Sequence, residues 1–236
     1  MCADPEENPF TCIGRVLRPN CYLGYTNISR GVVYFSAHPV DGLIFQNPDL
    51  LHDLYVFKCV TTVVLTSGNR GVGGNLSLSL ERGLQEAYAL MAGFPVSNPT
   101  REETTVRIGT HDVHSWSLRG MPNIQIVYLR LPDDSPSGQG YDTYGAESLA
   151  KLYNKEIDSI TSTDGHARNT LRDLKELIAF ILHMRKPNEI GILNHKATTP
   201  DEQEHLGPSE HVDHIVSAKL VRRVVTGENI EAHVKV

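Results

Sequence analysis

Apolar runs alternate along the chain with segments of helical periodicity. Continuously apolar, β-rich runs predict strands buried on both faces; they are residues 31–37, 60–66, 124–131 and 189–193. Apolar residues at helical spacing predict helices over residues 49–56, 78–92, 148–153, 170–183 and 211–225. Residues 104–108 and 111–117 form shorter alternating segments, and the tail, residues 230–236, fits an edge strand.

Strands that alternate with helices predict an α/β, Rossmann-like three-layer fold, with a mostly parallel sheet and helices on both faces. The chain contains no internal repeat and no clean linker, so we expect one domain over residues 1–236, with residues 1–30 as an N-terminal arm. In such sheets the ligand crevice lies at the carboxyl ends of the strands. A functional site is therefore expected where the apolar runs end.

The overall charge narrows the classes of partner. A net charge of −6 gives no basic field for nucleic acid, so we expect no nucleic-acid partner. The apolar stretches fall far short of the roughly 20 residues that a membrane helix needs, so we expect no membrane span. A small molecule or carbohydrate is the expected ligand, and the oligomeric state is not predicted.

The four cysteines are Cys2, Cys12, Cys21 and Cys59, and none forms a C-x-x-C pair, which argues against a cysteine zinc site. The sequence allows two interpretations of these cysteines: a disulfide that fixes the N-terminal arm, or reduced thiols. Residues 1–20 contain no apolar core of a signal peptide. The chain is therefore cytoplasmic or a mature form without its leader.

Two clusters of polar residues could carry chemistry. His38 and Asp41 follow the first predicted strand on a tight turn held by proline, so both side chains can converge on one point. His211 and His214 lie three residues apart at the start of a helix and share a face. Two imidazoles and one carboxylate make the usual three-ligand set of a catalytic zinc site, although each cluster alone is more often accidental.

The stretch Ala37-His38-Pro39-Val40-Asp41 resembles the Ala-His-Pro-Asp-Asp block of the PIG-L/LmbE deacetylase family. The resemblance continues through residues 65–68, 81–83, 87–93, 129–133 and 147–149, and it ends at His211-Val212-Asp213-His214. It is strongest to a fungal and actinobacterial subgroup with many exported members, several of which have a cysteine at the N-terminus and at the position of Cys59. It therefore favours a disulfide and a mature secreted form.

The resemblance implies a zinc-dependent hydrolase, with zinc or another divalent metal ion as its cofactor. His38, Asp41 and His214 would bind the metal, His211 would polarise the acyl oxygen or protonate the leaving amine, and Asp213 would orient a histidine. Family members remove acetyl groups from N-acetylglucosamine-type conjugates. We expect substrate contacts from Asn69, Arg70 and Tyr141. The loop over residues 133–144 could bind a ligand, or it could be a solvent-exposed connection without a binding role.

The pattern departs from the family at the position of its general base. Val40 stands where the family has that aspartate, and valine cannot accept a proton. Gly42, Asn69 and Leu80 also replace polar residues of the subgroup. A metal-dependent hydrolase acting on an N-acyl group is the first interpretation. The alternatives are a repurposed metalloenzyme that acts on a non-sugar secondary metabolite, and a catalytically inactive protein that binds a ligand.

Overall fold

The computed structural model describes residues 31–56, 58–94, 101–108, 111–119, 121–135, 138–197 and 210–236. Its helices are α1 (Asp41–Phe45), α2 (Asp49–Tyr55), α3 (Leu76–Met91), α4 (Leu149–Asn154), α5 (Leu171–Arg185) and α6 (Val212–Gly227). Its strands are β1 (Val32–Ser36), β2 (Val60–Thr66), β3 (Arg101–Ile108), β4 (His111–Leu118), β5 (Met121–Leu131), β6 (Ile160–Thr161), β7 (Arg168–Asn169), β8 (Glu189–Gly191) and β9 (His233–Lys235).

Seven of these strands form one mixed sheet in the order β3-β4-β5-β2-β1-β8-β9. Strands β5, β2, β1, β8 and β9 run parallel, while β3 and β4 add an antiparallel hairpin beside β5. Counted among the parallel strands alone, the spatial order is 3-2-1-4-5, which is the order of a Rossmann fold. The chain reverses its direction of winding between β1 and β8, so a ligand crevice is expected at their carboxyl ends.

The sheet is buried on both faces. Along β1, Val33 and Phe35 face the apolar layer formed with α4, α5 and α6, while Val32 and Tyr34 face the layer formed with α2 and α3. All five residues of β1 and all seven of β2 are buried. The α/β class, the mostly parallel sheet and the helices on both faces are therefore confirmed.

The structure adds short elements to those predicted. Residues 41–45, of which only Asp41 was placed in the predicted turn, form the single-turn helix α1. Strands β6 and β7, of two residues each, form a short hairpin. The tail is an edge strand as expected, because β9 pairs only with β8 within the described sheet. The N-terminal arm and residues 198–209 lie outside the described residues, and the extent of the single domain stays a prediction.

Two further features are the character of the helices with respect to a membrane and the state of Cys59. No helix in the described part of the chain combines the length and the apolar character that crossing a membrane requires. Cys59, which lies just before β2, is disulfide-bonded. The three other cysteines lie outside the described residues.

Candidate metal centre

The candidate site lies at the carboxyl end of β1. His38 follows this strand after one residue, and the chain then turns into α1, whose first residue is Asp41. The Asp41 carboxylate accepts a hydrogen bond of 2.6 Å from the backbone N–H of His38, which closes the turn and fixes the carboxylate beside the imidazole. The turn thus lies at the reversal point of the sheet, where a ligand crevice is expected.

His214 reaches the same point from α6. His38 Nδ1 and His214 Nε2 are 3.1 Å apart, and Asp41 Oδ1 lies 3.3 Å from the first nitrogen and 3.2 Å from the second. Ligand atoms that sit about 2.0–2.1 Å from a tetrahedral zinc ion are about 3.3 Å apart. The three side chains therefore have the spacing of a three-ligand metal site, and Asp41 and His214 are buried.

Two carboxylates fix the proton positions of the histidines. Glu210 accepts from His214 Nδ1 at 2.6 Å, so the proton of neutral His214 lies on Nδ1 and the lone pair on Nε2. Asp213 lies 3.3 Å from His38 Nε2 and has the same effect on His38, whose Nδ1 lone pair then faces the site. Two lone pairs and a carboxylate that converge on one point can hold a cation, either a proton or a metal ion.

The electrostatics of the site favour positive charge. Burial alone would lower the pKa of His38, but hydrogen bonds to Asp213 and Asp41 raise it to about 10. Burial alone would raise the pKa of Asp41, but hydrogen bonds to His214 and His38 hold it well below its usual range. The carboxylates that hold a proton on His38 would equally attract a metal ion, which binds in competition with that proton.

His211 occupies the N-cap position of α6 beside these ligands. Its ring packs edge-on against His38, with centroids 4.9 Å apart, and its Nδ1 accepts a hydrogen bond of 3.2 Å from the backbone N–H of Asp213. Burial lowers the pKa of His211, so the ring is neutral near pH 7 and carries its proton on Nε2. In this form His211 can donate a hydrogen bond to a ligand, but it has no free nitrogen to accept a proton.

Val40 lies between the two N-terminal ligands in the chain, and its apolar side chain is 38% exposed.

The carboxylates that follow β5 are engaged with backbone groups. Asp133 accepts from the N–H groups of Gly68 and Arg70 at 2.6 and 2.8 Å. Asp134 accepts from the N–H of Gly140 at 2.8 Å. These two residues therefore brace the loops around the site.

The three residues expected to contact substrate lie in these loops. Asn69 is buried, donates to the Tyr144 hydroxyl at 2.6 Å and accepts from the N–H of Gly71, so its amide is used within the protein. The Arg70 side chain is exposed, and its backbone has a positive φ of 52°. Tyr141 packs against Gly71, where an added Cβ would lie 2.4 Å from the tyrosine ring. Contact of these residues with a substrate stays a prediction.

Two residues next to the ligands were not predicted from the sequence. Glu210 holds His214, and the spacing of four residues between them was the available sign, although Glu210 closes a polar segment without periodicity. Phe45 packs edge-on against the His214 ring, with centroids 5.3 Å apart. Nothing in the local sequence distinguished this phenylalanine from a core residue.

Comparison with solved structures finds the N,N'-diacetylchitobiose deacetylase from Pyrococcus horikoshii, complexed with its inhibitor MPG, at a TM-score of 0.45 and 13% sequence identity. The match covers 86% of this chain and 53% of that one, so the chain spans about half the length of that structure. No family model matches the sequence, and no curated protein matches it.

Proposed function

We propose that the protein is a metal-dependent hydrolase that cleaves the N-acyl group of a small, sugar-like molecule. The observation that supports this most strongly is the convergence of His38 Nδ1, His214 Nε2 and Asp41 Oδ1, which lie 3.1–3.3 Å from one another. Two imidazoles and a carboxylate are a donor set that suits zinc and leaves a coordination position open. The resemblance to the PIG-L/LmbE motifs supports the same chemistry.

In this proposal His38, Asp41 and His214 hold the ion, and Glu210 and Asp213 orient the two imidazoles. A divalent ion bound there would lower the pKa of water and polarise a carbonyl group. The Nε2–H of neutral His211 donates a hydrogen bond to the acyl oxygen, which fits its fixed Nδ1. Protonation of the departing amine would instead require the imidazolium form, because a neutral imidazole is too weak an acid to give up its Nε2 proton. Tyr141, Arg70 and Asn69 line the approach to the substrate.

Val40 makes the proposed enzyme atypical. A carboxylate at this position would accept the proton of the attacking water, and loss of a positioned base commonly costs about 10²–10⁴-fold in rate. Asp133 does not replace this base, because both of its oxygens accept hydrogen bonds from backbone N–H groups. We therefore expect slow hydrolysis of acetamido sugars by the natural chain.

The test is metal analysis of the full chain purified without chelator, together with acetate release from N-acetylglucosamine derivatives. We expect about one zinc ion per chain, and loss of both metal and activity in Asp41→Ala. Asp112→Ala, which removes an exposed aspartate of β4, is the control and should keep both. A protein without stoichiometric metal, or an Asp41→Ala variant with unchanged metal content, would refute the proposal.

A second candidate is a ligand-binding protein that has kept the scaffold without turnover, and Val40 is the observation that favours it. Such a protein would be stabilised against unfolding by an N-acetylated sugar without forming product. A repurposed metalloenzyme that acts on a non-sugar metabolite would instead bind metal and ignore these sugars. Thermal unfolding with and without ligand, run beside the acetate assay, separates the three.

The disulfide at Cys59 supports a proposal about the compartment. Disulfides persist in oxidising compartments and are rare in the cytosol. We therefore favour a mature secreted protein over a cytoplasmic one. Mass spectrometry of alkylated protein from the native source tests this, because a fully alkylated Cys59 would contradict it.

A further inference from the structure

Large apolar side chains stand exposed directly beside the candidate metal ligands. Val40, Ile44 and Phe45 belong to the segment that links β1 to the end of α1, and they are 38%, 63% and 53% exposed. The same segment supplies His38 and Asp41. The exposed apolar surface therefore begins at the ligands themselves.

Phe45 contacts the metal ligand His214. The two rings meet edge-on, with centroids 5.3 Å apart and an interplanar angle of 69°. About half of the phenylalanine stays open to solvent. A molecule whose reacting carbon lies at the ligands would therefore meet an aromatic ring within its first few atoms.

Exposed apolar side chains also occur in the loop after β2 and at the start of α3. Gly68 packs against this part of the site, because an added Cβ would lie 2.8 Å from Pro39 and 3.3 Å from Leu80. Leu76 precedes Leu80 by one helical turn and is exposed, as is Val72 in the loop. We call the set of Val40, Ile44 and Phe45, which belong to the same segment as two of the ligands, the apolar rim.

Single exposed apolar residues are normal on soluble proteins, but a group that borders a site indicates a ligand with an apolar part. Sugar hydroxyls need hydrogen-bond partners, and the side chains of the apolar rim offer none. An acyl chain is bonded to the carbonyl carbon that reacts, so it starts beside the ligands, where Phe45 and Val40 lie.

Resting on the function proposed above, we propose that the substrate is an N-acyl amine whose acyl chain is longer than acetyl, and that the apolar rim binds this chain. In the reaction, water adds its oxygen to the carbonyl carbon and the C–N bond breaks. The products are the carboxylate and the free amine, which takes up the remaining proton. The leaving amine can still be a sugar.

The experiment compares chain lengths on the zinc-loaded full chain. Hydrolysis of N-acetyl-, N-butyryl- and N-hexanoyl-glucosamine gives one readout, and calorimetric binding of acetohydroxamate and hexanohydroxamate gives a second that needs no turnover. Each fully buried methylene is worth about threefold to fourfold, and the rim stays partly open to water. We therefore expect a preference of about tenfold or more for the hexanoyl over the acetyl compound.

The variants Phe45→Ser and Ile44→Ser should each reduce this preference at least about threefold. Phe45→Ser could disturb the ligand His214, and a reduced zinc content of this variant would reveal that. In that case Ile44→Ser serves as the test. The matched control is Leu90→Ser: Leu90 is 62% exposed, almost as much as Ile44, but lies at the other end of α3 from Leu76. It should keep the wild-type preference.

If zinc-containing wild-type protein hydrolysed and bound the acetyl and hexanoyl compounds equally well, the inference would be overturned. The proposed hydrolase function would not be affected by that result. A preference that survives both rim variants would also overturn the inference. The inference would also be overturned if Phe45→Ser and Ile44→Ser abolished binding of the protein to phosphatidylcholine vesicles or its self-association. The apolar rim would then be a docking surface and not a binding site for an acyl chain. A wild-type chain without zinc would refute both proposals, and metal analysis detects that case first.

Discussion

Glu210 should tune metal affinity although it is not itself a proposed ligand. Its carboxylate accepts from His214 Nδ1 at 2.6 Å, which is short for an N–H···O hydrogen bond and typical of a charge-assisted one. The substitution Glu210→Ala removes this partner and leaves Asp41, His38 and His214 in place. His214 then loses the contact that fixes its proton on Nδ1 and its lone pair toward the metal.

Loss of such a partner typically weakens metal binding by about 10–100-fold, which is about 1.4–2.7 kcal/mol. The Glu210 side chain is 30% exposed, so water can replace part of the lost hydrogen bond. We therefore expect the lower end, a rise in the zinc dissociation constant of about tenfold. Competition with a chromogenic chelator at constant pH measures it.

The matched control is Glu228→Ala. Glu228 also accepts from a histidine, His183, at 3.2 Å, but both side chains are about half exposed and lie far along the chain from the ligands. Its removal should leave zinc affinity unchanged. If Glu210→Ala binds zinc as tightly as the wild type does, His214 is not a metal ligand oriented by Glu210, and the interpretation of the site is wrong.

Three further predictions concern the base, an ion pair and a buried acid. Val40→Asp should raise hydrolysis of N-acetylglucosamine derivatives by about 10²–10⁴-fold, and an inert variant that still binds zinc would show that the pocket has other chemistry. Glu81→Ala should destabilise the fold by about 2 kcal/mol in urea unfolding, because it removes two 2.7 Å hydrogen bonds from the mostly buried guanidinium of Arg130, which keeps only its 3.0 Å bond to Asp164 among the carboxylates. Arg107→Ala, in an exposed ion pair, should cost less than about 1 kcal/mol, and equal losses would contradict this. Burial and the nearby Asp213 carboxylate raise the pKa of Asp134 to about 6. Between pH 4 and 6 the folded state therefore keeps a proton that the unfolded state releases. The stability that this proton contributes is present at pH 4 and is lost as pH rises through 6. Asp134→Asn should remove that decrease, at most about 3 kcal/mol between pH 4 and 7, and an unchanged pH profile in urea unfolding would contradict it.

The sheet was predictable because β1 and β2 are buried on both faces. Double-sided burial demands continuously apolar strands, and Val60–Thr66 was predicted with the bounds that the structure has. The single-turn helix Asp41–Phe45 was not predictable, since five residues are too few for helical periodicity to appear. The two-residue strands β6 and β7 were missed for the same reason.

The candidate site was predictable in part. His38 and Asp41 are neighbours in a turn, so their proximity follows from local geometry. His214 lies 176 residues beyond His38, and only the order of strands in the sheet brings α6 to the end of β1. The exposure of Ile44 and Phe45 could not be predicted, because an apolar residue gives no sign of whether a neighbouring segment covers it.

The central claim is tested most directly by an anomalous difference map at the zinc absorption edge, from crystals of protein purified without chelator. We predict one peak about 2.0–2.2 Å from His38 Nδ1, His214 Nε2 and a carboxylate oxygen of Asp41. A map without a peak among these atoms, from crystals that contain zinc at another position, would contradict the account.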